Sequence, residues 1–415
     1  MGRLLAWALA WVVSFSGGPL QAASAGGPTA DAAPVVVPVE IDLREQIRAG
    51  RFDPARDTVG VRGSQPPLSW QRSLPAVALG DGRYGVEIRF DRVPFGNQPV
   101  QYKFRIERAG QGADEGWEPG RNHALRLLGG SRIARAFGAE PAEITWTRTG
   151  TLERLGRIPS AHVAPRHVQV WLPPGYAAES SRRYPVLYLH DGQNVFDGAS
   201  AGAEWMVDET AQRLVEAGAI EPPIIVAIDS VNSRILDYTP TAMTLPPQRS
   251  GTGRTERQGG GAAAYGRFIA EELKPLIDAR YRTRPERAAT AVGGSSLGGL
   301  VSLWLALHRS ETFGAALVVS PSVWWDDGFA QRDVLTRDPL PQPRPLLWLD
   351  MGAQEGAEAL PAARQLQKSL MARGWNDATL RYVEDRDGGH DEASWAARVE
   401  GMLRFLYPRP PAPPR

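Results

Sequence analysis

The hydrophobic residues from about residue 150 onwards occur in short continuous runs. Such runs are typical of strands buried on both faces of a sheet. The segments between them carry apolar residues at helical spacing, and a last helix is predicted at residues 395–406. Alternating strands and helices predict an α/β fold, a mostly parallel sheet flanked by helices. The predicted strands are residues 168–172, 186–189, 224–228, 288–292, 315–319 and 346–349.

An earlier part of the chain, residues 39–128, has a different pattern. Short stretches rich in β-branched and aromatic residues alternate with clusters of Gly, Pro and Asp. This pattern predicts a small all-β sandwich that precedes the α/β domain at residues 150–407. The strand candidates are residues 59–62, 84–90 and 100–107.

Three further segments are predicted to lie outside these two domains. Residues 26–38 are rich in Ala, Pro and Gly and are predicted to be disordered, and residues 129–149 are predicted to form a linker. Residues 408–415 are rich in Pro and are predicted to form an extended tail.

The N-terminal residues 1–25 have the pattern of a cleavable signal peptide. Arg3 precedes an apolar run at residues 4–15, and Ala23-Ser24-Ala25 offers small residues for cleavage. The run is too short to span a bilayer comfortably, although an uncleaved anchor is the alternative. The sequence therefore predicts export to the periplasm or the medium, without a transmembrane anchor.

Composition narrows the class of protein. The chain has 415 residues, of which 42% are hydrophobic and 22% charged, as expected of folded domains. A formal net charge of +1 argues against nucleic acid as a partner. The chain contains no cysteine, which excludes disulfides and thiolate metal ligands. His-Glu-x-x-His is also missing, and we expect neither a metal nor a cofactor.

The residues Gly294-Ser295-Ser296-Leu297-Gly298 lie between a predicted strand and a predicted helix. Gly-x-Ser-x-Gly in that position predicts a nucleophile elbow, a tight turn that presents the serine hydroxyl to an open cleft. A serine hydroxyl needs a neighbouring base, and that base needs an orienting acid. Ser296 is therefore the predicted nucleophile of a serine hydrolase.

The base is expected late in the chain, because α/β-hydrolases have the order serine, acid, histidine. Two histidines follow Ser296. His308 lies on the helix directly after the elbow and is predicted to point away from the serine. His390 lies in a glycine-containing loop between the last predicted strand and the last predicted helix, so it is the predicted base.

The acid is expected just after the predicted strand at residues 346–349. Asp350 ends this strand, and Glu355 lies in the loop that follows. We favour Glu355 over Asp350, because a loop position gives its carboxylate more freedom to reach the imidazole. Asp385 and Asp387 are weaker candidates, being too close to His390 in sequence.

An oxyanion hole needs two backbone amides, one of them from the residue after the nucleophile. Leu297 provides this first amide. The second is expected in a loop after an early strand, where Gly192 permits a sharp turn. We predict that the amide of Gln193 supplies it.

Four motifs follow one another along the chain, at residues 190–197 (HDGQNVFD), 293–299 (GGSSLGG), 320–325 (SPSVWW) and 388–390 (GGH). In this order they closely resemble the putative esterase family, which includes esterase D-like, enterochelin esterase and feruloyl esterase relatives. The resemblance covers residues 150–407, and it implies a carboxylic ester hydrolase with Ser296, His390 and Glu355 as triad and with Gln193 and Leu297 as oxyanion donors.

The family handles siderophore lactones, feruloylated sugars and simple acyl esters, so the resemblance leaves the substrate open. Residues 229–240 resemble the family's cleft-lining loop, and residues 239–261 are predicted to be a long loop over the cleft. The candidate substrate-binding residues are Asp191, Arg234, Tyr238 and Trp325. Trp324 and Trp325 are expected to form an aromatic wall, or else to pack in the core.

The β-rich domain resembles a starch-binding carbohydrate module at residues 59–63 (VGVRG), 102–104 (YKF) and 116–122 (GWEPGRN). The resemblance implies a sugar site at Trp70, Lys103 and Trp117, with a polysaccharide as partner. The Pro-rich residues 64–69 (SQPPLS) depart from the pattern and would shift the first of these rings. A sandwich that only packs on the other domain is the alternative.

The sequence thus predicts an exported serine esterase that acts on a small-molecule or glycan ester. An acyltransferase of the same fold is one alternative. A carbohydrate-binding protein with an inactive hydrolase domain is another, but the three intact triad residues argue against it.

Overall fold

The computed structural model describes residues 34–91, 93, 98–112, 115–127, 130–141, 147–198, 203–246 and 254–409. The predicted signal peptide and residues 410–415 of the predicted tail lie outside the described residues. Across the described ranges, no helix has the length and apolar character needed to cross a membrane.

The N-terminal domain is a sandwich of two sheets. Its elements are β1 (Val35–Asp42), α1 (Arg44–Arg48), β2 (Thr58–Gly63), β3 (Leu74–Pro75), β4 (Val77–Gly80), β5 (Arg83–Phe90), β6 (Val100–Glu107), β7 (His123–Leu125) and β8 (Ile133–Ala136). The strand order is β4-β5-β1-β8 in one sheet and β3-β2-β6-β7 in the other. Alternate residues point between the sheets, so Val37, Val39 and Ile41 of β1 share a core with Phe104 of β6.

The limits of this domain differ from the predicted ones. Strand β1 begins at Val35, within the segment predicted to be disordered, and β8 lies within the predicted linker. β8 pairs in parallel with β1, from Ile133 opposite Val39 to Ala136 opposite Asp42. Both boundary predictions were wrong. Residues 35–37 are β-branched and pair with β5, and the Ala- and Arg-containing residues of β8 form a strand only beside β1.

The second domain alternates strands and helices. Its strands are β9 (Thr151–Ile158), β10 (Arg166–Leu172), β11 (Val186–His190), β12 (Ile224–Ile228), β13 (Ala242–Leu245), β14 (Glu256–Gly259), β15 (Thr290–Ser295), β16 (Ala315–Val319), β17 (Leu346–Gly352) and β18 (Leu380–Asp385). Its helices are α2 (Val207–Glu216), α3 (Arg234–Asp237), α4 (Ala262–Arg267), α5 (Lys274–Arg280), α6 (Leu297–His308), α7 (Phe329–Thr336), α8 (Ala359–Ala372) and α9 (Glu392–Leu406). A π-helical segment, Phe268–Leu273, joins α4 to α5.

One eight-stranded sheet organises the domain, in the order β18-β17-β16-β15-β11-β12-β10-β9. The neighbours from β18 to β12 pair in parallel, whereas β10 and β9 are antiparallel. Separate hydrophobic clusters cover its two faces, one containing Val301 of α6 and the other containing Val399 of α9. The predicted mostly parallel sheet between two layers of helices is therefore confirmed.

The segment 239–261 differs from the predicted long loop. β13 and β14 pair as an antiparallel hairpin, from Ala242 opposite Gly259 to Leu245 opposite Glu256. At its base the Trp325 indole donates to Thr241 O at 3.1 Å. The loop prediction was wrong here because cross-strand pairing and this anchor, and not periodicity, define the strands.

Candidate active site

Ser296 lies at the turn between β15 and α6, with φ 59° and ψ −120°. This conformation is strained for a residue that carries a side chain, so the surroundings must hold it. The Ser296 N–H donates to Val319 O, and the Ser296 carbonyl accepts from Leu300 N and Ser322 N, each at 3.0 Å. The turn has the geometry of a nucleophile elbow.

Two glycines of the elbow stand where a side chain would collide with a neighbour. A Cβ atom at Gly299 would lie 2.7 Å from Val319 O, and one at Gly294 would lie 3.0 Å from a His190 ring carbon. The elbow therefore packs directly on β16 and on the end of β11. This close packing fixes the height of Ser296 above the carboxyl edge of the sheet.

His190 lies beneath the elbow, and its Nδ1 is 2.9 Å from the Tyr265 hydroxyl. Burial lowers the pKa of His190 to about 3, so its ring is neutral near pH 7. Because the His190 ring is neutral and packs against Gly294 of the elbow, its role is to support the turn.

Glu355 and His390 are brought together by the structure, with Glu355 Oε2 2.7 Å from His390 Nδ1. The other carboxylate oxygen, Oε1, accepts from Gly352 N at 2.8 Å and from Ser320 Oγ at 2.5 Å. The Glu355 side chain is only 3% exposed, whereas that of His390 is 45% exposed. The acid is thus fixed inside the protein, and the imidazole reaches the surface of the cleft.

The loops that carry the two residues are joined by backbone hydrogen bonds. Ala353 N donates to Asp385 O at 2.8 Å, and Gln354 N donates to Gly388 O at 2.9 Å. Gly352 permits this approach, because a Cβ atom there would lie 2.3 Å from Gly388 O. The His390 ring also stands edge-on to Trp395, with ring centroids 5.2 Å apart.

Asp350, the competing acid, has a different position. It is fully buried, and its oxygens accept from Ser320 N at 3.0 Å and from the Trp348 indole at 2.6 Å. Burial raises the pKa of Asp350, and the nearby guanidinium of Arg398 opposes the shift. Asp350 therefore stabilises β17 and the neighbouring end of β16 through these hydrogen bonds. Glu355 is the carboxylate in contact with His390.

The Ser296 hydroxyl is 3.2 Å from Ser322 Oγ. Among the described residues, no hydrogen bond joins it to His390. Catalytic hydrogen bonds are often long before substrate binds, and rotation about one side-chain bond moves a serine hydroxyl. His308 lies on α6, as expected, with Asp333 as partner at 2.9 Å.

The predicted oxyanion amides lie on two different loops. Gln193 is in a 3-10 turn, Gly192–Asn194, directly after β11. Its side chain exchanges two hydrogen bonds with Ser230, both at 3.0 Å, which ties the turn to the end of β12. Within the described ranges, the N–H groups of Gln193 and Leu297 donate to no protein acceptor. Both amides are thus open to an oxygen of a ligand.

Asp191 and Arg234 form a bidentate ion pair beside this turn, with both N–O distances 2.8 Å. Burial opposes ionisation of Asp191, but Arg234 outweighs it and lowers the pKa of Asp191. Asp191 is largely buried, and the side chain of Arg234 is 32% exposed. Of the two, Arg234 offers more surface to a substrate.

The prediction that Tyr238 and Trp325 contact substrate is wrong. Both rings are enclosed in the hydrophobic core, with 0% and 1% exposure. The Tyr238 hydroxyl accepts from Asp191 N at 3.2 Å, so it supports the start of the Gly192–Asn194 turn. The exposed ring of this pair of tryptophans is Trp324, at 41%.

In the N-terminal domain, the rings of Trp70 and Trp117 lie 6.2 Å apart and are tilted by 52°. The guanidinium groups of Arg62 and Arg105 lie over the Trp117 ring, at 5.1 and 5.4 Å. Lys103 Nζ donates to Gly120 O at 2.6 Å. The two tryptophans are therefore neighbours, but cations already contact one of them, and sugar binding stays a prediction.

Across the described part of the chain, no group of three or more His, Asp or Glu side chains could hold a metal ion.

Comparison with known proteins gives the family. The model of the family described as "Putative esterase" matches residues 161–406. The chain belongs to this esterase family. It is accordingly a carboxylic ester hydrolase, as the sequence predicted.

Two proteins of Bacillus subtilis are similar to this chain. YbbA of Bacillus subtilis (strain 168), an uncharacterized protein, is 24% identical over 249 residues, which are 58% of this chain and 92% of that protein. Ferri-bacillibactin esterase BesA of the same strain is 34% identical over 153 residues, or 35% of this chain and 50% of BesA.

A solved structure shows the same fold over most of the esterase chain. The enterobactin esterase FES from Shigella flexneri, determined in the presence of enterobactin, has a TM-score of 0.58 at 16% identity. The match covers 85% of this chain and 87% of that one. The α/β-hydrolase fold preceded by a small β domain is therefore confirmed.

Sequence reasoning missed several residues of the esterase site. Ser320 contacts Glu355, Ser322 contacts Ser296, and Arg398 lies behind Ser320. One signal was available, since Arg398 falls on the apolar face of α9 between Trp395 and Val399, an unusual place for a charge. The contacts of the serines have no counterpart in sequence spacing.

Proposed function

We propose that this esterase cleaves its substrate through an acyl-enzyme on Ser296, with His390 as general base and Glu355 as orienting acid. The observations that carry the proposal are the 2.7 Å contact between Glu355 Oε2 and His390 Nδ1 and the strained turn that holds Ser296 at φ 59°. An orienting acid, an exposed imidazole and a strained serine turn are the parts that acyl transfer requires.

The hydrogen bonds of Glu355 support one tautomer of His390. Glu355 Oε1 already accepts two hydrogen bonds, from Gly352 N and Ser320 Oγ, so Oε2 is the oxygen that faces the His390 ring. An ionised carboxylate can only accept, which places the proton on Nδ1. Nε2 then carries the lone pair that a general base needs.

The reaction follows from these positions. His390 Nε2 takes the hydroxyl proton of Ser296 as Oγ attacks the ester carbonyl, and the negative oxygen of the tetrahedral intermediate accepts from the Gln193 and Leu297 amides. The intermediate collapses with cleavage of the ester C–O bond, and the imidazolium returns its proton to the leaving alcohol. Water then attacks the acyl-enzyme by the same steps and releases the acid and Ser296.

A siderophore ester is the first substrate to test, because the bacillibactin and enterobactin esterases are named for such compounds. Arg234 reaches solvent beside the oxyanion turn, but its charge is already paired with Asp191, so it adds hydrogen-bond donors to the site and not a net positive charge. Feruloyl and acetyl esters of sugars remain in the test set.

Export through the signal peptide at residues 1–25 would place the enzyme in the periplasm or medium.

Hydrolysis of p-nitrophenyl acetate and butyrate by the purified protein tests the mechanism. Ser296→Ala is expected to abolish turnover and the initial burst of p-nitrophenol. Ser295→Ala, the adjacent buried serine, is the matched control and should keep the burst. Turnover that persists at the wild-type rate in Ser296→Ala would refute the mechanism.

The substrate class is tested by product analysis. Ferric and iron-free catecholate siderophore lactones, a feruloylated arabinose and an acetylated xylan are incubated with the enzyme, and the released acids are followed by mass spectrometry. A kcat/KM at least about tenfold higher for a siderophore lactone supports the proposal. Preference for a sugar ester would reject this substrate class while leaving the mechanism intact.

A further inference from the structure

Ser320 lies at the end of β16, behind the contact between Glu355 and His390. Its φ is 41°, in the left-handed region, and only 1% of the residue is exposed. A non-glycine residue in this conformation is strained and needs support from its surroundings. Its N–H donates to both Asp350 O, at 3.1 Å, and Asp350 Oδ1, at 3.0 Å.

The hydroxyl of Ser320 has three partners. Oγ is 2.5 Å from Glu355 Oε1, 3.1 Å from Trp395 Nε1 and 3.0 Å from Arg398 Nη2. A hydroxyl has one proton to donate and two lone pairs that accept. The three contacts therefore use its full hydrogen-bonding capacity.

The chemistry of the partners fixes the direction of each bond. An indole N–H and a guanidinium can only donate, so Ser320 Oγ accepts from Trp395 and Arg398. The single hydroxyl proton is then left for Glu355. Arg398 is itself held by carboxylates on both sides, Asp350 at 3.3 Å and Asp385 at 3.0 Å.

We propose that Ser320 is a positioning residue for the reaction, which holds Glu355 Oε1 so that Oε2 faces His390. Trp395 and Arg398 direct its hydroxyl proton, and the positive charge of Arg398 strengthens the donation. The proposal rests on the assigned triad and adds a buried layer behind it. Ser320 acts through Glu355 alone and touches neither the substrate nor His390.

A double-mutant cycle with Glu355→Ala separates this role from a purely structural one. The amplitude of the p-nitrophenol burst gives the concentration of active enzyme, and kcat is calculated from that concentration. Ser320→Ala is then expected to lower kcat about 10- to 100-fold and to change KM by less than about twofold. In the Glu355→Ala background the same change should lower kcat less than about threefold. Ser369→Ala, a buried serine on α8 that bonds Gln365 O, is the control and should leave kcat unchanged.

The outcomes distinguish the two levels of the proposal. If Glu355→Ala alone leaves kcat near wild type, the proposed triad is wrong. If Glu355→Ala is slow but Ser320→Ala costs the same factor in both backgrounds, Ser320 has no action through Glu355 and the inference is overturned. Ser320→Gly, which also lacks the hydroxyl but tolerates the positive φ, replaces Ser320→Ala if that variant does not fold.

Discussion

Replacing Glu355 by Gln tests how the hydrogen bonds around the acid determine the state of His390. The side chain keeps its shape, but one oxygen becomes an NH₂ group. Gly352 N and Ser320 Oγ both donate to Oε1, so the amide oxygen of Gln must occupy that position. The NH₂ group then faces His390 Nδ1.

This orientation reverses the tautomer of the histidine. Nδ1 must accept from the new NH₂ group, so the ring proton moves to Nε2, which then cannot take a proton from Ser296. A carboxylate-to-amide change at a triad acid lowers kcat about 10⁴-fold by this effect. We expect a fall of about 10³- to 10⁴-fold here, or about 4 to 5.5 kcal/mol at 1.36 kcal/mol per factor of ten.

The assay is steady-state hydrolysis of p-nitrophenyl butyrate, with the folded fraction checked by circular dichroism. Glu358→Gln, an exposed glutamate three positions later, makes the same chemical change and should leave kcat within about twofold. A kcat for Glu355→Gln within tenfold of wild type would refute the tautomer argument. Equal losses in the two variants would point to a general effect of the loop.

Two further predictions concern stability and substrate contact. Burial, reinforced by Glu209, raises the pKa of Glu204 to about 8 from 4.5. Between these two pH values the Glu204 carboxyl keeps its proton in the folded protein but loses it in the unfolded protein. The contribution of this carboxyl group to the free energy of unfolding therefore declines as the pH rises from about 4.5 to about 8. Thermal melts at pH 5 and pH 8 should show a smaller decline for Glu204→Gln, and an unchanged decline would contradict the assignment. Trp325→Ala should destabilise the fold by about 3 to 5 kcal/mol in urea titrations, because the ring is buried. Trp324→Ala should keep nearly the wild-type stability but change kcat/KM between acetyl and aromatic esters, and equal behaviour of the two variants would argue against this division.

The sequence predicted the parts of the site that depend on chain order. The turn motif and the order of residues in α/β-hydrolases predict Ser296 and His390 as catalytic residues. A loop position favours Glu355 over Asp350, and the structure places the Glu355 carboxylate against His390. The parallel sheet followed from continuous apolar strands.

The failures concern side chains whose surroundings come from distant segments. Sequence pattern leaves two positions open for Trp325, an aromatic wall or the core, and the structure places its ring in the core, against a hairpin predicted to be a loop. Sequence pattern predicts a linker at β8, because its four residues form a strand only beside β1. Ser320 gave no sign of its role, because its three partners come from residue 355 and from α9.

The backbone contacts between residues 352–354 and 385–388 have a consequence for how this enzyme can be altered. The carbonyl of Gly388 fills the space that a side chain at residue 352 would occupy. The segments that carry Glu355 and His390 are therefore packed too closely to move independently. We expect an insertion or deletion in either segment to displace both Glu355 and His390, even when the altered residues are exposed. Exchanging specificity with a relative should therefore succeed only when the two segments are transplanted together.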